Sequence, residues 1–202
     1  MSETTEATPT AHVIIIGGGA AGTSCALFLS RAGMTSTIFD HDRTILKRAE
    51  LHNFPGLVPT LGVDWLAQLR ASLAEVKGST QIQERVTSLF LEGDTVGVES
   101  ATQRLTADYI VIATGQLNAD FTQTVGIELT DPVQPFVTAN IVVDRWGATN
   151  VDRIFACGVV AGFPSQAVIC AGSGANVAVG IASRVHGQFW VDHDEAPKPD
   201  QT

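Results

Sequence analysis

Only three cysteines occur in this 202-residue chain, Cys25, Cys157 and Cys170, and no two stand in a C-x-x-C spacing. That excludes thiol–disulfide exchange through a dithiol motif and a disulfide framework, and it suits a reducing, cytoplasmic setting. Each cysteine reads instead as a small buried hydrophobe. Basic residues are also few. Twelve Lys and Arg against 21 Asp and Glu give a formal charge of −9, which argues against nucleic acid and against an anionic membrane surface as partners. Apolar runs stay short of the roughly 18 residues a spanning helix needs, so no membrane partner is expected. No His/Cys/Asp/Glu group has metal-ligand spacing, and neither a G-x-S-x-G turn nor a Cys–His arrangement offers a nucleophile. The opening MSETTEATPT lacks the basic start and apolar centre of a secretory signal. Residues 1–10 read as a disordered arm and 191–202 as a disordered tail.

Apolar residues make up 45% of the chain and glycines number 19, which suits one compact, turn-rich α/β domain over residues 11–190. His12 to Ile16 is a β-branched run, the pattern of a parallel strand covered on both faces. A helix is expected over Ala21 to Ala32, stopped by Gly33, and a second strand over Ser36 to Asp40. This β-α-β unit requires a parallel sheet. Val63 to Val76 is an amphipathic helix with Leu66, Leu69 and Leu73 on one face. A three-stranded meander is expected from Ile82 to Leu91, Thr95 to Ser100 and Arg104 to Ile112. Residues 116–135 form a connection without strong periodicity. A strand at Ile154 to Cys157 and a final small-residue helix at about Ala171 to His186 complete the domain.

The segment VIIIGGGAAG (Val13 to Gly22) places Gly17, Gly19 and Gly22 in a G-x-G-x-x-G spacing. Gly17 makes the tight turn, Gly19 lets the backbone approach a pyrophosphate, and Gly22 lets helix and strand pack closely. Ala20 and Ala21 open the helix whose free N–H groups face the phosphates. Asp40, followed by His41, ends the second strand where its carboxylate can accept a hydrogen bond from a ribose 2′-hydroxyl. An acid there would repel a 2′-phosphate, so NADP is not expected at this loop. The loop alone does not separate NAD from FAD.

Four further segments bear on that choice together with the glycine loop: NFPG (53–56), IVIATG (110–115), RIFACG (153–158) and SQAVICAGSGANVA (165–178). In this order they resemble the FAD domain of the low-molecular-weight thioredoxin reductase family of pyridine nucleotide-disulfide oxidoreductases. The resemblance implies a Rossmann-like FAD-binding domain, a parallel sheet with helices on one side and a three-stranded β-meander. It covers residues 11–115 and 136–190. It implies FAD as cofactor, with Asn53 beside the flavin ring and the backbone N–H groups of Gln166 and Ala167 at its pyrimidine edge. Val86 would lie near adenine, and Ala113, Thr114 and Gly115 close to the bound cofactor. It also implies a homodimer.

Two departures qualify what the resemblance implies. The family carries a complete NAD(P)H domain after its ATG segment, and the short connection here cannot hold another β-α-β nucleotide site. The family's FA-x-G segment continues with an Asp that contacts the ribityl and pyrophosphate region; here Gly158 is followed by Val159. Ser165 stands where the family often has Arg. His52 is either a solvated loop residue or a proton relay. The expectation is therefore a single-domain flavoprotein oxidoreductase without dithiol chemistry, drawing electrons from a small-molecule reductant, from NAD(P)H docking transiently at the exposed flavin face, or from a redox protein partner. Its alternatives are a flavin-binding sensor or regulatory subunit without turnover, and an NAD-binding module.

Overall fold

The computed structural model describes residues 10–116 and 119–193. Apart from Thr10, the expected arm lies outside the described residues, as does the tail beyond His193. The elements in order are β1 (His12–Ile16), α1 (Ala20–Arg31), β2 (Thr35–Phe39), a 3-10 turn (Ile45–Arg48), β3 (Glu50–Leu51), β4 (Thr60–Leu61), α2 (Gly62–Glu75) and β5 (Ser79–Ile82). Then come β6 (Ser88–Glu92), β7 (Thr95–Glu99), β8 (Arg104–Ala107), β9 (Tyr109–Ile112) and α3 (Ala119–Gln123). The chain continues through β10 (Leu129–Thr130), β11 (Asn140–Ile141), β12 (Ile154–Ala156), a second 3-10 turn (Gly158–Ala161) and α4 (Ala167–His186).

Five parallel strands form the central sheet in the order β12-β9-β1-β2-β5. Because side chains alternate along a strand, each strand feeds two cores. Val13, Ile15, Val111 and Phe155 face a helical layer that includes Cys25 and Leu29 of α1, Leu73 of α2 and Val177 and Ile181 of α4. Ile14, Ile16, Ile110, Ile112 and Ile154 face the other way, toward Leu89, Val96 and Val98 of the antiparallel β6-β7-β8 meander. Helices on one face and a meander on the other agree with the expected architecture.

The α1–α4 interface shows why small residues recur there. A Cβ on Gly174 would stand 2.0 Å from the Ala21 carbonyl oxygen, so only glycine permits this approach. α4 also has the length and composition to cross a membrane, with a mean hydropathy of 1.4 over an 18-residue stretch of its 20 residues. The reading that no run is long and apolar enough is corrected to that extent. Much of its apolar content packs on α1: Gly174, Val177, Ala178, Ile181 and Ala182 are buried.

Three boundaries differ from expectation. The strand expected from Ile82 belongs to two elements: β5 pairs in parallel with β2, whereas the meander begins only at Ser88. β5 is the sheet edge and largely exposed, so its STQI sequence lacks the apolar pattern that marks a strand. The strand expected from Arg104 to Ile112 is likewise divided. At Asp108 the chain passes from the meander to the centre of the parallel sheet, fixed by Asp108 N–H to the His12 carbonyl (3.0 Å) and His12 N–H to Asp108 Oδ2 (2.8 Å). Finally, α4 starts at Ala167, one turn before the expected position. Of the expected tail, Asp192 pairs with Arg31 on α1.

Candidate functional site

At the end of β1 the chain turns through Gly17, at φ 111°, where a Cβ would lie 2.4 Å from the Ala113 carbonyl oxygen. The left-handed conformation and the close β9 backbone both require glycine. Gly22 is constrained from another direction: its Cβ would stand 1.9 Å from the Gly17 carbonyl oxygen. Gly19 is the N-cap of α1, in extended conformation and with no side-chain cap. The first amides of α1 therefore keep free hydrogen-bonding capacity. α4 begins in the same way, at Gln166, again without a side-chain cap.

Both uncapped termini open onto one cavity of about 770 Å³, a volume within the range of small-molecule and cofactor sites. Fifteen of the sixteen candidate residues line it. They are Gly17, Gly19, Ala20, Ala21, Asp40, His41, Asn53, Val86, Ala113, Thr114, Gly115, Gly158, Val159, Gln166 and Ala167. Gly22 does not, which fits its packing position behind the loop. At one end lie Asp40, His41 and Val86; at the other, Asn53 Nδ2 donates to Gln166 Oε1 at 2.6 Å, tying the NFPG turn to the start of α4. Between them Thr114 Oγ1 is buried without a partner. Such an orphaned hydroxyl is costly unless a ligand supplies its bond.

The acid that follows β2 is more heavily engaged than its sequence position suggests. Asp40 lies beside Gly18, its side chain 6% exposed, and accepts from Arg70 Nη2 at 2.7 Å and from the Asp42 N–H at 2.9 Å. Arg70 also donates to the Gly18 carbonyl (3.1 Å) and to Asp42. Lys47 joins Asp42, and that bond holds the Asp42 carboxyl below its usual range, with Arg70 adding to the effect. Arg70 was not foreseeable from the motif, since α2 brings it in from 30 residues downstream. Arg70→Met is expected to cost about 1–3 kcal/mol, because it leaves Asp40 buried with one amide partner. In a chain of this size a thermal melt should fall by roughly 2–12 °C. An unchanged melt would contradict the pairing.

Val159 is buried in the 3-10 turn, and its carbonyl accepts from Asn140 Nδ2 at 2.7 Å. Asn140 is itself buried and its Oδ1 accepts from the Val133 N–H. The Gly158 N–H is bound by Ser173 Oγ of α4 at 2.9 Å. This turn is thus fixed internally. His52 lies on the cavity wall with Nε2 3.4 Å from Glu50, both exposed. The connection after Gly115 adds Phe121 to the wall and Phe136 joins just beyond it, residues to which the sequence reading gave no role because the stretch lacks periodicity.

Cys25 and Cys157 are fully buried, and burial pushes both thiols well up; half-buried Cys170, on the cavity wall, is raised for the same reason. At pH 8 the thiolate fraction is therefore small at all three. Iodoacetamide should label the native protein slowly at Cys170 alone and give three adducts only after unfolding. Rapid triple labelling of native protein by mass spectrometry would contradict this burial.

A glycine-turned strand-to-helix loop on a parallel sheet, with an acid after the second strand, is the arrangement of the Rossmann-type α/β folds. Residues 11–136 match the model of the pyridine nucleotide-disulphide oxidoreductase family, and the chain belongs to that family. Among curated relatives, the thioredoxin reductase of Streptomyces clavuligerus is 34% identical over 110 residues, covering 52% of this chain and 34% of that protein. The thioredoxin reductase of Spironucleus barkhanus is 31% identical over 110 residues, covering 51% of this chain and 35% of that protein. The chain thus spans about a third of the length of the curated relatives it matches. Its fold is similar to a thioredoxin reductase from Gloeobacter violaceus, at TM-score 0.74 and 18% identity, covering 94% of this chain and 100% of that one. It is also similar to the atypical thioredoxin reductase TRi from Desulfovibrio vulgaris Hildenborough, at TM-score 0.75 and 15% identity, covering 87% and 98% of the two chains.

Proposed function

We propose that residues 11–190 form an FAD-binding domain and that the chain is a thioredoxin reductase-like flavoprotein oxidoreductase without dithiol chemistry. The observation that carries this reading is the single cavity joining two uncapped helix N-termini and the orphaned Thr114 hydroxyl. When bound, FAD supplies the electron-transfer chemistry, which the side chains present do not. The residues fit such a ligand. Gly17 and Gly19 leave room for the pyrophosphate against the N-terminus of α1, and Asp40 and Val86 line the adenosine end. The Thr114 hydroxyl offers a hydrogen bond midway. Asn53 and Gln166 hold each other beside the isoalloxazine position. There the first amides of α4 favour negative charge at its pyrimidine edge.

Electrons would come from a small-molecule reductant or a redox protein partner reaching the open flavin end. A second reading, a flavin-binding sensor or regulatory subunit, is favoured by Val159, which puts an apolar side chain where the family carries an acid at the ribityl chain. Anaerobic addition of NADH, NADPH and dithionite to the purified protein separates the two. Reduction by a nicotinamide and reoxidation by oxygen supports the oxidoreductase. Reduction by dithionite alone supports the sensor or a partner-dependent enzyme.

A further inference from the structure

Among the described residues, two exposed large apolar side chains line the cavity, Ile45 and Phe136. Ile45 follows Thr44, which faces Gly19, so it stands at the glycine loop. Phe136 stands at the flavin end and is 47% exposed. Phe121, also on the wall, is by contrast 2% exposed and packs into the core between sheet and meander. Phe121 is therefore wall, whereas Phe136 lies at the mouth with apolar surface uncovered.

The segment carrying Phe136 is held in place on both sides. β10 and β11 pair as a short antiparallel hairpin, and residues 131–139 form its tip. The Gln134 side chain ties the tip to the loop before α4. Its Nε2 donates to the Phe163 carbonyl (3.0 Å) and its Oε1 accepts from the Ser165 N–H (3.1 Å). From the other side Gln116, just past β9, donates through Nε2 to the Phe136 carbonyl at 3.3 Å. Val137 is buried, its N–H bound to the Gln134 carbonyl at 3.0 Å, and Pro135 fixes its own φ just before Phe136. The tip thus bridges the end of β9 and the start of α4, whose first amides face the isoalloxazine position. Its backbone is pinned there while the phenyl ring keeps a free surface, so a contact with a ligand costs little ordering.

We propose that Phe136 is a flavin-covering residue: its ring packs against the isoalloxazine between Asn53 and Gln166 and must move aside before a nicotinamide can stack there. This role rests on the flavin reading of the cavity and adds a determinant of which reductant is used. Hydride transfer from a nicotinamide needs reacting atoms about 3–3.5 Å apart, and a phenyl ring against the flavin occupies that space. Nicotinamides are therefore slowed by the fraction of time the ring stands aside. A small reductant needs no stacking and is not slowed. The same contact helps to retain FAD.

The test compares the FAD-loaded chain with Phe136→Ala and with Phe136→Trp, which restores a planar ring. Loss of one aromatic contact predicts that FAD leaves Phe136→Ala about two- to tenfold faster than the parent. The anaerobic rate of flavin bleaching by NADH or NADPH, divided by the rate with dithionite, should rise by a similar factor of about two to ten. Phe136→Trp should keep both quantities near those of the parent. A merely structural role would speed FAD release without moving that ratio. Unchanged FAD release in Phe136→Ala, an unchanged ratio, or a Phe136→Trp that behaves like the alanine variant overturns the proposal and leaves the flavin reading standing. A parent chain that takes up no FAD removes the flavin reading, and the cover with it.

Discussion

Gly22→Ala is expected to leave little folded protein. The added methyl would stand 1.9 Å from the Gly17 carbonyl oxygen and 3.1 Å from Cγ2 of Ile15, and neither obstacle is the free end of a flexible side chain. α1 would have to move off β1, and α1 is the helix against which α4 packs. Overpacking of a core typically costs 1–3 kcal/mol. A contact against backbone at the centre of the fold belongs at or above the upper end of about 3 kcal/mol. Natural domains hold only about 5–15 kcal/mol in reserve. The melt should fall by roughly 6–12 °C or more, with much of the chain insoluble on expression. A melt within 2 °C of the parent, about 1 kcal/mol or less, would show that α1 and β1 are not in such contact.

Gly19→Val should do the opposite: keep the fold and lose the ligand. Gly19 is extended, at φ −82° and ψ −164°, a conformation valine adopts readily. Its Cβ would meet only Thr44 Oγ1 at 3.2 Å and Cβ at 3.7 Å, on a cavity wall. The isopropyl group would occupy the space through which a pyrophosphate reaches the first amides of α1. Two charge-assisted bonds lost there, at about 1.5–3 kcal/mol each, predict a fall in FAD affinity of at least about 100-fold. Circular dichroism and the thermal melt should stay near those of the parent. Unchanged FAD retention would refute the loop assignment, because the side chain cannot share that space with a phosphate.

The contrast between these glycines shows what could be read from sequence and what could not. Spacing alone separated Gly22, which packs behind the loop, from Gly19, which lines the cavity, because the motif's geometry is local. Strand β1 and helices α1 and α2 were legible to within a residue or so, since their apolar periods are intact and their ends are marked. β5 was hidden because an exposed edge strand needs no apolar alternation. The division at Asp108 was hidden because β8 and β9 run on without a glycine or proline, and which sheet each half joins is a tertiary choice. At the site, the motif residues come together in one cavity. Phe121 and Phe136 reach it, and Arg70 reaches Asp40 on its wall, from segments whose placement no local pattern encodes. The most consequential omission was Arg70, because the charge of Asp40 had been read as though it stood alone.

The account rests on the cavity between α1 and α4 being a flavin site. The direct measurement is the visible spectrum of the purified chain, before and after incubation with FAD and removal of excess, with FAD quantified per chain. The account predicts a yellow protein carrying, or taking up, one FAD per chain. A colourless protein that retains none of the added FAD would contradict it.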